Sequence, residues 1–412
     1  MKVEICFHNP FLFLCKKGIE KKMILTERQE LGLKTAVERY KNKEKYTVIA
    51  GYAGTGKSTL VKFIIAAIGC DETEVVYTSF TGKATQVLLK KGNNNVSTLH
   101  KLLYEWRPLP NGGYFKKPVG DIPYKVVVVD EVSMVPKSLI DALLSYDVYV
   151  LFCGDPFQLP QIEKTDVHDL LAHPHVFLDE IMRQAAESEI IRLSMDIREG
   201  KMLSRFMGKE VMVLDENELT EGMLTWADQV ICATNNTRIA LNKKMKTLAG
   251  TGEEPGEGDK VICLKNYWDI VSNNTHNPMV NGTIGYISNI YKSFIKYPNY
   301  IKTDQVAYLG TTFSSDSDDI FDINIDEQML ITGQETLDWA AKYKINKSSK
   351  YRGSAPLEFA YGYAITCHRA QGSEWDKVLV IEESFPFSKE EHARWLYTAC
   401  TRASEKLVII RK

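Results

Sequence analysis

Residues 46–68 read YTVIAGYAGTGKSTLVKFIIAAI, and this stretch decides the fold of the chain. A β-branched run, a glycine-rich turn and an apolar helical pattern follow one another, as in the phosphate loop G-x-x-x-x-G-K-S. The glycines leave the backbone free to wrap a phosphate chain, and the helix N-terminus adds partial positive charge. We expect Lys57 at the β- and γ-phosphates and the Ser58 hydroxyl at Mg²⁺. The stretch therefore predicts a nucleoside triphosphate site.

A second acidic motif follows a buried strand pattern, KVVVVDEVSM at 125–134. A carboxylate in the position of Asp130 is the usual partner of a phosphate loop at Mg²⁺, and Glu131 can polarise a water for attack on the γ-phosphate. The chain has neither the Asp-x-x-Gly text of small GTPases at this point nor a guanine-reading Asn-Lys-x-Asp text. We therefore expect ATP rather than GTP.

The order of apolar runs predicts an α/β fold with two doubly wound domains. Near-continuous hydrophobic runs are typical of parallel strands covered on both faces, and helical patterns lie between them. The predicted strands are 46–50, 74–79, 125–130, 147–154, 229–234, 377–382 and 406–410. The predicted helices are 28–42, 57–68, 82–90, 136–145, 185–198, 235–246 and 389–401. We place the domains at 23–175 and 176–412, after a leader-like segment at 1–22 to which we assign no function.

Two insertions interrupt this alternation. Residues 104–124 flank Asn111-Gly112-Gly113 with aromatics and lysines, which indicates a β-hairpin. Residues 281–355 are rich in Tyr, Ile and Thr and alternate like an antiparallel ribbon, so we expect a small β-rich, barrel-like subdomain there.

Composition excludes several classes of protein. The net charge is −2, from 51 basic and 53 acidic residues, so a polyanion would need basic residues concentrated in one groove. The eight cysteines form no C-x-x-C pair, which argues against a zinc site and favours a reducing cytosol. No run approaches the ~20 apolar residues of a membrane span.

The ordered motifs of residues 24–412 resemble those of superfamily-one DNA helicases, in the RecD-like and phage Dda-like branch. The motifs that carry the resemblance are LTERQ (25–29), GKS (56–58), SFTGKATQVL (79–88), STLHKLL (97–103), DEVS (130–133), GDPFQLPQI (154–162), FLDEIMRQ (177–184), YAITCHRAQGSEWD (363–376) and LYTACTRA (396–403). The resemblance implies two RecA-like P-loop NTPase domains with ATP and Mg²⁺ in the cleft between them.

In that family the residues of these motifs have defined roles, which the resemblance carries over. Gln29 would read adenine, Asp155 and Gln158 would sense the γ-phosphate, Arg183 would stabilise its charge, and Arg402 would be the arginine finger. Arg192 and Arg198 are expected to be surface helix arginines. The implied catalytic residues are Lys57, Asp130, Glu131, Gln158, Arg183 and Arg402, with Ser58 and Asp130 at Mg²⁺. The implied nucleotide contacts are Gln29, Gly51, Ala53, Gly54, Thr55, Gly56, Lys57, Ser58, Thr59, Asp155, Gly372 and Glu374.

The resemblance also implies a single-stranded DNA path across both domains. Its contacts would be Thr81, Lys83, Thr98, His100, Thr366 and His368, although the two histidines could equally be hydrogen-bonded structural residues. Tyr267 and Trp268 could stack a base or pack at a domain edge. The sequence departs from the family at Phe80, where Pro is frequent. The strand-separating wedge would be the 104–124 hairpin, with Trp106, Tyr114, Phe115, Lys116 and Lys117, and the alternative is a surface hairpin without a mechanical role.

The implied activity is ATP- and Mg²⁺-dependent DNA unwinding, with 5′→3′ movement on single-stranded DNA. An RNA helicase and a nucleotide-switched single-strand-binding ATPase without unwinding remain alternatives, whereas a small-molecule kinase would leave the C-terminal motifs unexplained. Expected partners are single-stranded DNA and DNA forks, with single-strand-binding, replication or recombination proteins as candidates. We expect a monomer in the cytoplasm of a bacterial or phage-infected cell.

Overall fold

The computed structural model describes residues 11–16, 19–108, 114–160, 166–275, 277–302, 304–383 and 388–412. The first half of the chain forms a parallel sheet, its covering helices and two hairpins. Its strands are β1 (Phe11–Lys16), β2 (Ile19–Ile24), β3 (Tyr46–Gly51), β4 (Val75–Ser79), β5 (Val96–Thr98), β6 (Tyr104–Pro108), β7 (Tyr114–Pro118), β8 (Val126–Val129), β9 (Tyr149–Gly154) and β10 (Val176–Leu178). Its helices are α1 (Glu27–Lys41), α2 (Lys57–Ala67), α3 (Gly82–Lys90), α4 (Leu99–Leu103) and α5 (Lys137–Leu144).

The first sheet has the order β10-β3-β9-β8-β4-β5, and all its described pairings are parallel. Strands β8 and β9 are buried along their whole length, as their unbroken apolar sequences predict. Strand β10 pairs with β3, so the first sheet extends past residue 175, where we had placed the domain boundary.

The second half of the chain builds another parallel sheet and the β-rich insertion. Its strands are β11 (Phe206–Met207), β12 (Val211–Asp215), β13 (Gln229–Cys232), β14 (Lys260–Cys263), β15 (Tyr267–Val271), β16 (Pro278–Met279), β17 (Ile284–Ile295), β18 (Val306–Ser315), β19 (Ile320–Asp326), β20 (Phe359–Tyr361), β21 (Ala364–Thr366), β22 (Trp375–Ile381) and β23 (Ala403–Arg411). Its helices are α6 (Arg183–Ala186), α7 (Glu189–Arg198), α8 (Glu221–Trp226), α9 (Asn235–Leu248), α10 (Glu327–Thr332), α11 (Trp339–Lys347), α12 (Cys367–Ala370) and α13 (Lys389–Cys400).

The second sheet has the order β11-β12-β23-β22-β13-β21, and it is parallel except for β11. The helix predicted at 185–198 is two helices, α6 and α7. The Glu210 carboxylate accepts hydrogen bonds from the Ser188 hydroxyl and the Glu189 amide, and the Glu189 carboxylate accepts from the Glu210 and Val211 amides. This reciprocal pairing starts a new helix at Glu189, which local helix propensity does not reveal.

The β-rich insertion is an antiparallel sheet in the order β19-β18-β17-β14-β20, so it also uses strands outside 281–355. The expectation of a barrel is wrong. Within the described strands, the edges β19 and β20 approach each other only through an isolated bridge between Ile325 and Leu357. Strand β19 ends at Asp326 and α10 begins at Glu327, so the parallel ladder that this bridge would start has no strand to continue on.

Two hairpins complete the fold. Strands β6 and β7 pair as predicted for 104–124, while the turn at 109–113 and the side chains of Trp106, Tyr114 and Phe115 lie outside the described part of the structure. Strands β1 and β2 pair with each other in a hairpin that begins in the segment 1–22, which we interpret as leader-like, and extends to Ile24. None of the helices in the described ranges is both long and apolar enough to cross a bilayer.

Candidate nucleotide site and nucleic-acid cleft

Three neighbouring strands end at the same edge of the first sheet, and each contributes part of the candidate nucleotide site. The phosphate loop follows β3, Asp155 follows β9 and Asp130 follows β8, and these strands are adjacent in the order β3-β9-β8. The carboxyl edge of an open parallel sheet is where such folds bind ligands. The topology therefore brings Asp130 and Asp155 to the phosphate loop, although they lie 72 and 97 positions beyond Ser58 in sequence.

The phosphate loop needs glycine for two different reasons. Gly54 and Gly56 have φ values of 76° and 81°, in the left-handed region that glycine adopts without strain. A Cβ atom at position 56 would also lie 2.5 Å from Gln29 Nε2. Within the loop, Lys57 Nζ donates to the carbonyls of Gly51 at 2.6 Å and Tyr52 at 2.9 Å, so its ammonium is held inside the cradle.

Gln29 lies under the phosphate loop. Its side chain completes a capping box with Thr26 at the start of α1. Its Nε2 donates to the Thr55 carbonyl at 3.2 Å and to Met182 Sδ at 3.2 Å. The position fits the predicted nucleotide contact, while adenine reading by Gln29 stays a prediction.

Ser58 and Asp130 line one small cavity of about 40 Å³ beside the loop. A hydroxyl and a carboxylate are hard oxygen ligands that suit Mg²⁺, which in phosphotransfer sites takes its remaining ligands from phosphates and water. Within the described ranges, no cluster of three His, Cys, Asp or Glu side chains could hold a metal without such a substrate. Burial, reinforced by the Glu131 charge, raises the pKa of Asp130, and the Lys57 ammonium opposes that rise.

Glu131 faces the second domain at the interface between the two domains. Its φ of 53° is left-handed, which is uncommon outside glycine and turns the chain directly after Asp130. Glu131 Oε1 lies 3.8 Å from Nη1 of Arg402, whose side chain is almost entirely buried. With the Gln158 amide assigned from its hydrogen bonds, the amide nitrogen donates to Glu131 Oε2 at 2.8 Å and the oxygen accepts from Arg402 Nη2 at 3.1 Å. Three predicted catalytic residues thus form one interdomain network.

Tyr397 makes a second connection between the domains. Its hydroxyl accepts a hydrogen bond from the Ala53 amide of the phosphate loop at 2.8 Å and donates to Asp155 Oδ2 at 2.5 Å. Burial raises the pKa of Asp155, while Lys57 and the Tyr397 hydroxyl oppose the rise. Tyr397 therefore joins the end of β9 to the phosphate loop, a role that the sequence analysis did not assign.

For Arg183, Gly372 and Glu374, the structure shows the position of the surrounding backbone or a neighbouring contact rather than a side-chain contact with the phosphate loop. The Met182 amide donates to the Gly54 carbonyl at 3.0 Å, so α6 begins at the phosphate loop, while the Arg183 side chain lies outside the described part of the structure. Gly372 faces α3, since a Cβ there would lie 2.9 Å from Ala84 Cβ. Glu374 pairs with Lys91 at 3.3 Å, next to the cavity lined by Ser58 and Asp130.

Arg198 is not the plain surface arginine that the sequence suggested. Its guanidinium carbon lies 3.6 Å from the ring centroid of Tyr52, a phosphate-loop residue, in a cation–π contact. The contact anchors α7 to the loop, and helical spacing alone could not show it.

A cleft of about 650 Å³ lies between the two domains and the β-rich insertion. Four of the six predicted DNA contacts line it: Thr81, Lys83, Thr366 and His368. From the insertion come Asn281 and Gly282, and Lys83 Nζ reaches Asp316 of the insertion at 3.4 Å. The insertion therefore borders this cleft.

The other two predicted DNA contacts are not among the residues that line the cleft. Thr98 is buried, and its hydroxyl caps α4 by accepting from the Lys101 amide. His100 packs between Phe80 and Tyr104, and burial lowers its pKa to about 4. Both observations favour the structural alternative. Tyr267 is also structural, since its hydroxyl accepts from the Glu358 amide at 2.7 Å, and the Trp268 side chain lies outside the described residues.

The cleft contains residues that motif reasoning did not select. Phe80 lines it, although the sequence singled Phe80 out only as a departure from the family. Arg369 and Asn235 line it as well, and burial lowers the pKa of Arg369 to about 10. Arg369 stands inside the motif at 363–376, so its neighbours Thr366 and His368 were the available signal.

Two family models and several curated relatives match the sequence of this chain. A model described as "AAA domain" matches residues 27–219, and one described as "UvrD-like helicase C-terminal domain" matches residues 361–410. The ATP-dependent RecD2 DNA helicase of Deinococcus radiodurans is 28% identical over 391 residues, which is 88% of this chain and 46% of the relative. The ATP-dependent DNA helicase dda of Enterobacteria phage T4 is 30% identical over 193 residues, 43% of each chain. The chain thus spans less than half the length of either relative.

Solved structures of Pif1 helicases share the fold. One, described in work on unwinding of forked double-stranded DNA by two coordinating Pif1 helicases, has a TM-score of 0.51 at 19% identity, covering 94% of this chain and 92% of the other. A Bacteroides Pif1 in complex with ADP-AlF3 and single-stranded DNA has a TM-score of 0.50 at 16% identity, with the same coverage. The fold is that of a Pif1-like helicase with two RecA-like domains. The two family models match the regions of this chain that carry its resemblance to superfamily-one helicases, and the curated relatives are similar to it as well.

Proposed function

We propose that this chain is an ATP-dependent DNA helicase that moves on single-stranded DNA. The observation that carries the proposal is the network of Glu131, Gln158 and Arg402. It spans the domain interface next to the phosphate loop. Arg402 Nη1 also donates to the Ser373 carbonyl at 3.3 Å, and Ser373 lines the cleft together with Thr81 and Thr366. A ligand between the domains and a strand along them would therefore contact the same interface.

The proposed chemistry assigns each side chain one task. Lys57 and the loop amides hold the β- and γ-phosphates, and Glu131 polarises the attacking water. Mg²⁺, held by Ser58 and Asp130, would neutralise charge on the phosphates. The Arg402 guanidinium matches the equatorial oxygens of the transferred group, whose charge grows in the transition state. Arg183 would supply a second guanidinium from the start of α6.

Movement follows from the interdomain contacts. The hydrogen bonds Ala53 N to Tyr397 Oη, Leu159 N to Thr398 Oγ1 and Gln371 Nε2 to Leu159 O join the two domains directly. A γ-phosphate that pairs with Arg402 adds to these contacts and favours the closed cleft, and hydrolysis removes that contribution. Cleft opening and closing would then shift Thr81 and Lys83 relative to Thr366 and His368 along the bound strand.

The hairpin β6–β7 is the proposed strand separator. Its paired strands hold Trp106 opposite Lys116 and Arg107 opposite Phe115, and Lys116 Nζ lies 3.5 Å from the ring centroid of Tyr104. We propose that its tip meets the duplex junction and blocks reannealing while the motor draws one strand through the cleft. Replacing 111–115 with a short glycine turn should spare ATP hydrolysis and reduce unwinding. Unchanged unwinding would reject the wedge.

Strand displacement on tailed duplexes tests the proposed function. With ATP and Mg²⁺, we expect a duplex with a 5′ single-stranded tail to be unwound and Lys57→Ala to abolish unwinding. Unwinding only from a 3′ tail would overturn the 5′→3′ direction, and DNA-stimulated ATP hydrolysis without displacement would indicate a nucleotide-switched clamp. Because phosphate and stacking contacts discriminate poorly against a 2′-hydroxyl, the same duplexes with RNA tails test the RNA helicase alternative.

A further inference from the structure

Helix α11 of the β-rich insertion buries an aliphatic face and exposes an aromatic one. Ala341 and Ile345 pack into a small core with Tyr297 and Val306. On the opposite side Trp339 is 77% exposed and Tyr343 is 51% exposed. Their rings are stacked, with centroids 5.4 Å apart and an interplanar angle of 18°. Two stacked, nearly parallel aromatic rings open to solvent are a surface that favours stacking of a further flat ring.

Basic side chains outnumber acidic ones near these rings. Residues 338–352 contain five basic side chains and one acidic one, Asp338, in a chain whose net charge is −2, and one of the five, Lys342, is paired with Glu335 and Glu358. Lys347 lies one turn beyond Tyr343, with its Nζ 5.6 Å from the centroid of that ring. Lys344 is exposed on the same helix and donates to the Tyr300 carbonyl at 2.5 Å. The face therefore combines aromatic rings with cations, as single-strand-binding surfaces do.

A short chain of contacts connects α11 to the cleft. Lys342 Nζ and Lys265 Nζ both pair with Glu358 Oε1, at 2.5 and 2.6 Å. The Glu358 carbonyl accepts from the Leu264 amide at 2.9 Å, and Leu264 lines the cleft. Helix α11 is thus anchored to the strand end that borders the proposed DNA path.

We propose that the exposed face of α11 is a second binding site for single-stranded DNA, which extends the path beyond the cleft. Bases stack on Trp339 and Tyr343, and backbone phosphates contact Lys347. Single strands fit better than duplex because the bases of a duplex are already stacked on each other. The inference rests on the proposed function in one respect, that the cleft binds the same strand.

Binding to oligothymidylates of two lengths tests the proposal. One of about 6 nucleotides occupies the cleft alone, and one of about 20 nucleotides reaches both sites, given site sizes of about 4–16 nucleotides. Fluorescence anisotropy should show that Trp339→Ala with Tyr343→Ala weakens binding of the long strand about tenfold or more and leaves the short strand unchanged. For the long strand, the slope of log affinity against log salt concentration reports the number of phosphate contacts. Lys347→Glu should reduce this slope by the equivalent of about one contact, whereas Lys34→Glu, a charge reversal on the exposed side of α1, should leave it unchanged.

The outcomes separate this inference from the proposed function. If neither strand binds the parent protein, the proposed function fails. If both bind and the double variant changes neither affinity, or changes both equally, the α11 site is rejected while the cleft stands. Tryptophan fluorescence gives an independent readout, because stacking should quench Trp339, and Trp339→Phe should remove that part of the quenching. Quenching that is equal in both proteins would also reject the site, and the face would then suit a protein partner.

Discussion

Two buried charge networks of the second domain differ in what surrounds them. Lys246 Nζ lies 2.5 Å from Asp259 Oδ2, and Asp259 also accepts hydrogen bonds from Thr251, the Gly256 amide and Tyr363, all within the same domain. Arg402 instead reaches Glu131 of the other domain at 3.8 Å, with Gln158 between them. The first network is short and saturated, as expected of a structural tie. The distance between the charged groups of the second network is longer, and this network crosses the domain interface that we propose closes on ATP.

Arg402→Ala should have the largest effect on activity. Removing an arginine finger typically lowers kcat about 10³-fold or more, because the transition state loses its matching guanidinium. The measurement is DNA-stimulated ATP hydrolysis, with single-strand affinity recorded in parallel and expected to stay near that of the parent. Arg205→Ala removes an exposed arginine that pairs with Glu218 at 2.9 Å and serves as the control. Full ATPase activity in Arg402→Ala would reject the finger.

Asp259→Asn should lower the stability of the protein and leave its activity unchanged, the reverse of what we expect for Arg402→Ala. It leaves the buried Lys246 ammonium without its counter-charge, and breaking a buried pair typically costs about 3–5 kcal/mol of unfolding free energy. Urea unfolding measures this loss, and kcat of the folded protein should not change. Glu221→Gln, which breaks an exposed pair with Lys244, should cost little. If Asp259→Asn lowers kcat as strongly as stability, the contrast between the two networks is wrong.

Tyr397→Phe should moderately reduce both the activity and the stability of the protein. It removes the hydrogen bonds to Ala53 and Asp155, which are worth about 1–3 kcal/mol in total, and lets the phosphate loop move relative to α13. We expect a lower kcat/KM for ATP together with a small loss of stability. Tyr146→Phe loses one hydrogen bond, to the Val119 carbonyl, away from the cleft and should reduce stability only. Equal kcat/KM values in the two variants would remove Tyr397 from the site.

The smallest expected effect concerns His100. Burial lowers its pKa from 6.5 to about 4, so the folded state resists a proton that the unfolded state takes up. Stability from this group is complete above pH 6.5 and is lost as pH falls toward 4. Between pH 7.5 and 5.5, His100→Gln should therefore lose less stability than the parent, by at most about 1 kcal/mol per pH unit. Identical pH profiles in urea unfolding would contradict the buried neutral histidine.

Local sequence pattern predicted seven of the twelve strands described in the two parallel sheets, because their continuous hydrophobic runs are visible in the sequence. It missed β5, β10, β11, β12 and β21, which are short and pair only through the tertiary fold. It also predicted the phosphate loop, Asp130 and Glu131, where one short segment contains the chemistry. It did not predict the bond between Tyr397 and Asp155, which are 242 positions apart, or the break between α6 and α7, which depends on Glu210. The burial of Thr98 and the open edge of the β-rich sheet likewise depend on long-range packing, which a sequence pattern does not record.

The most direct test of the central claim is the rate of ATP hydrolysis with and without single-stranded DNA. The claim is that nucleotide and strand occupy one interdomain interface, where Glu131, Gln158 and Arg402 meet. It predicts that oligothymidylate raises kcat about tenfold or more and that Lys57→Ala abolishes both the basal and the stimulated rate. A kcat that is the same with and without DNA, in protein that binds both ligands, would contradict it.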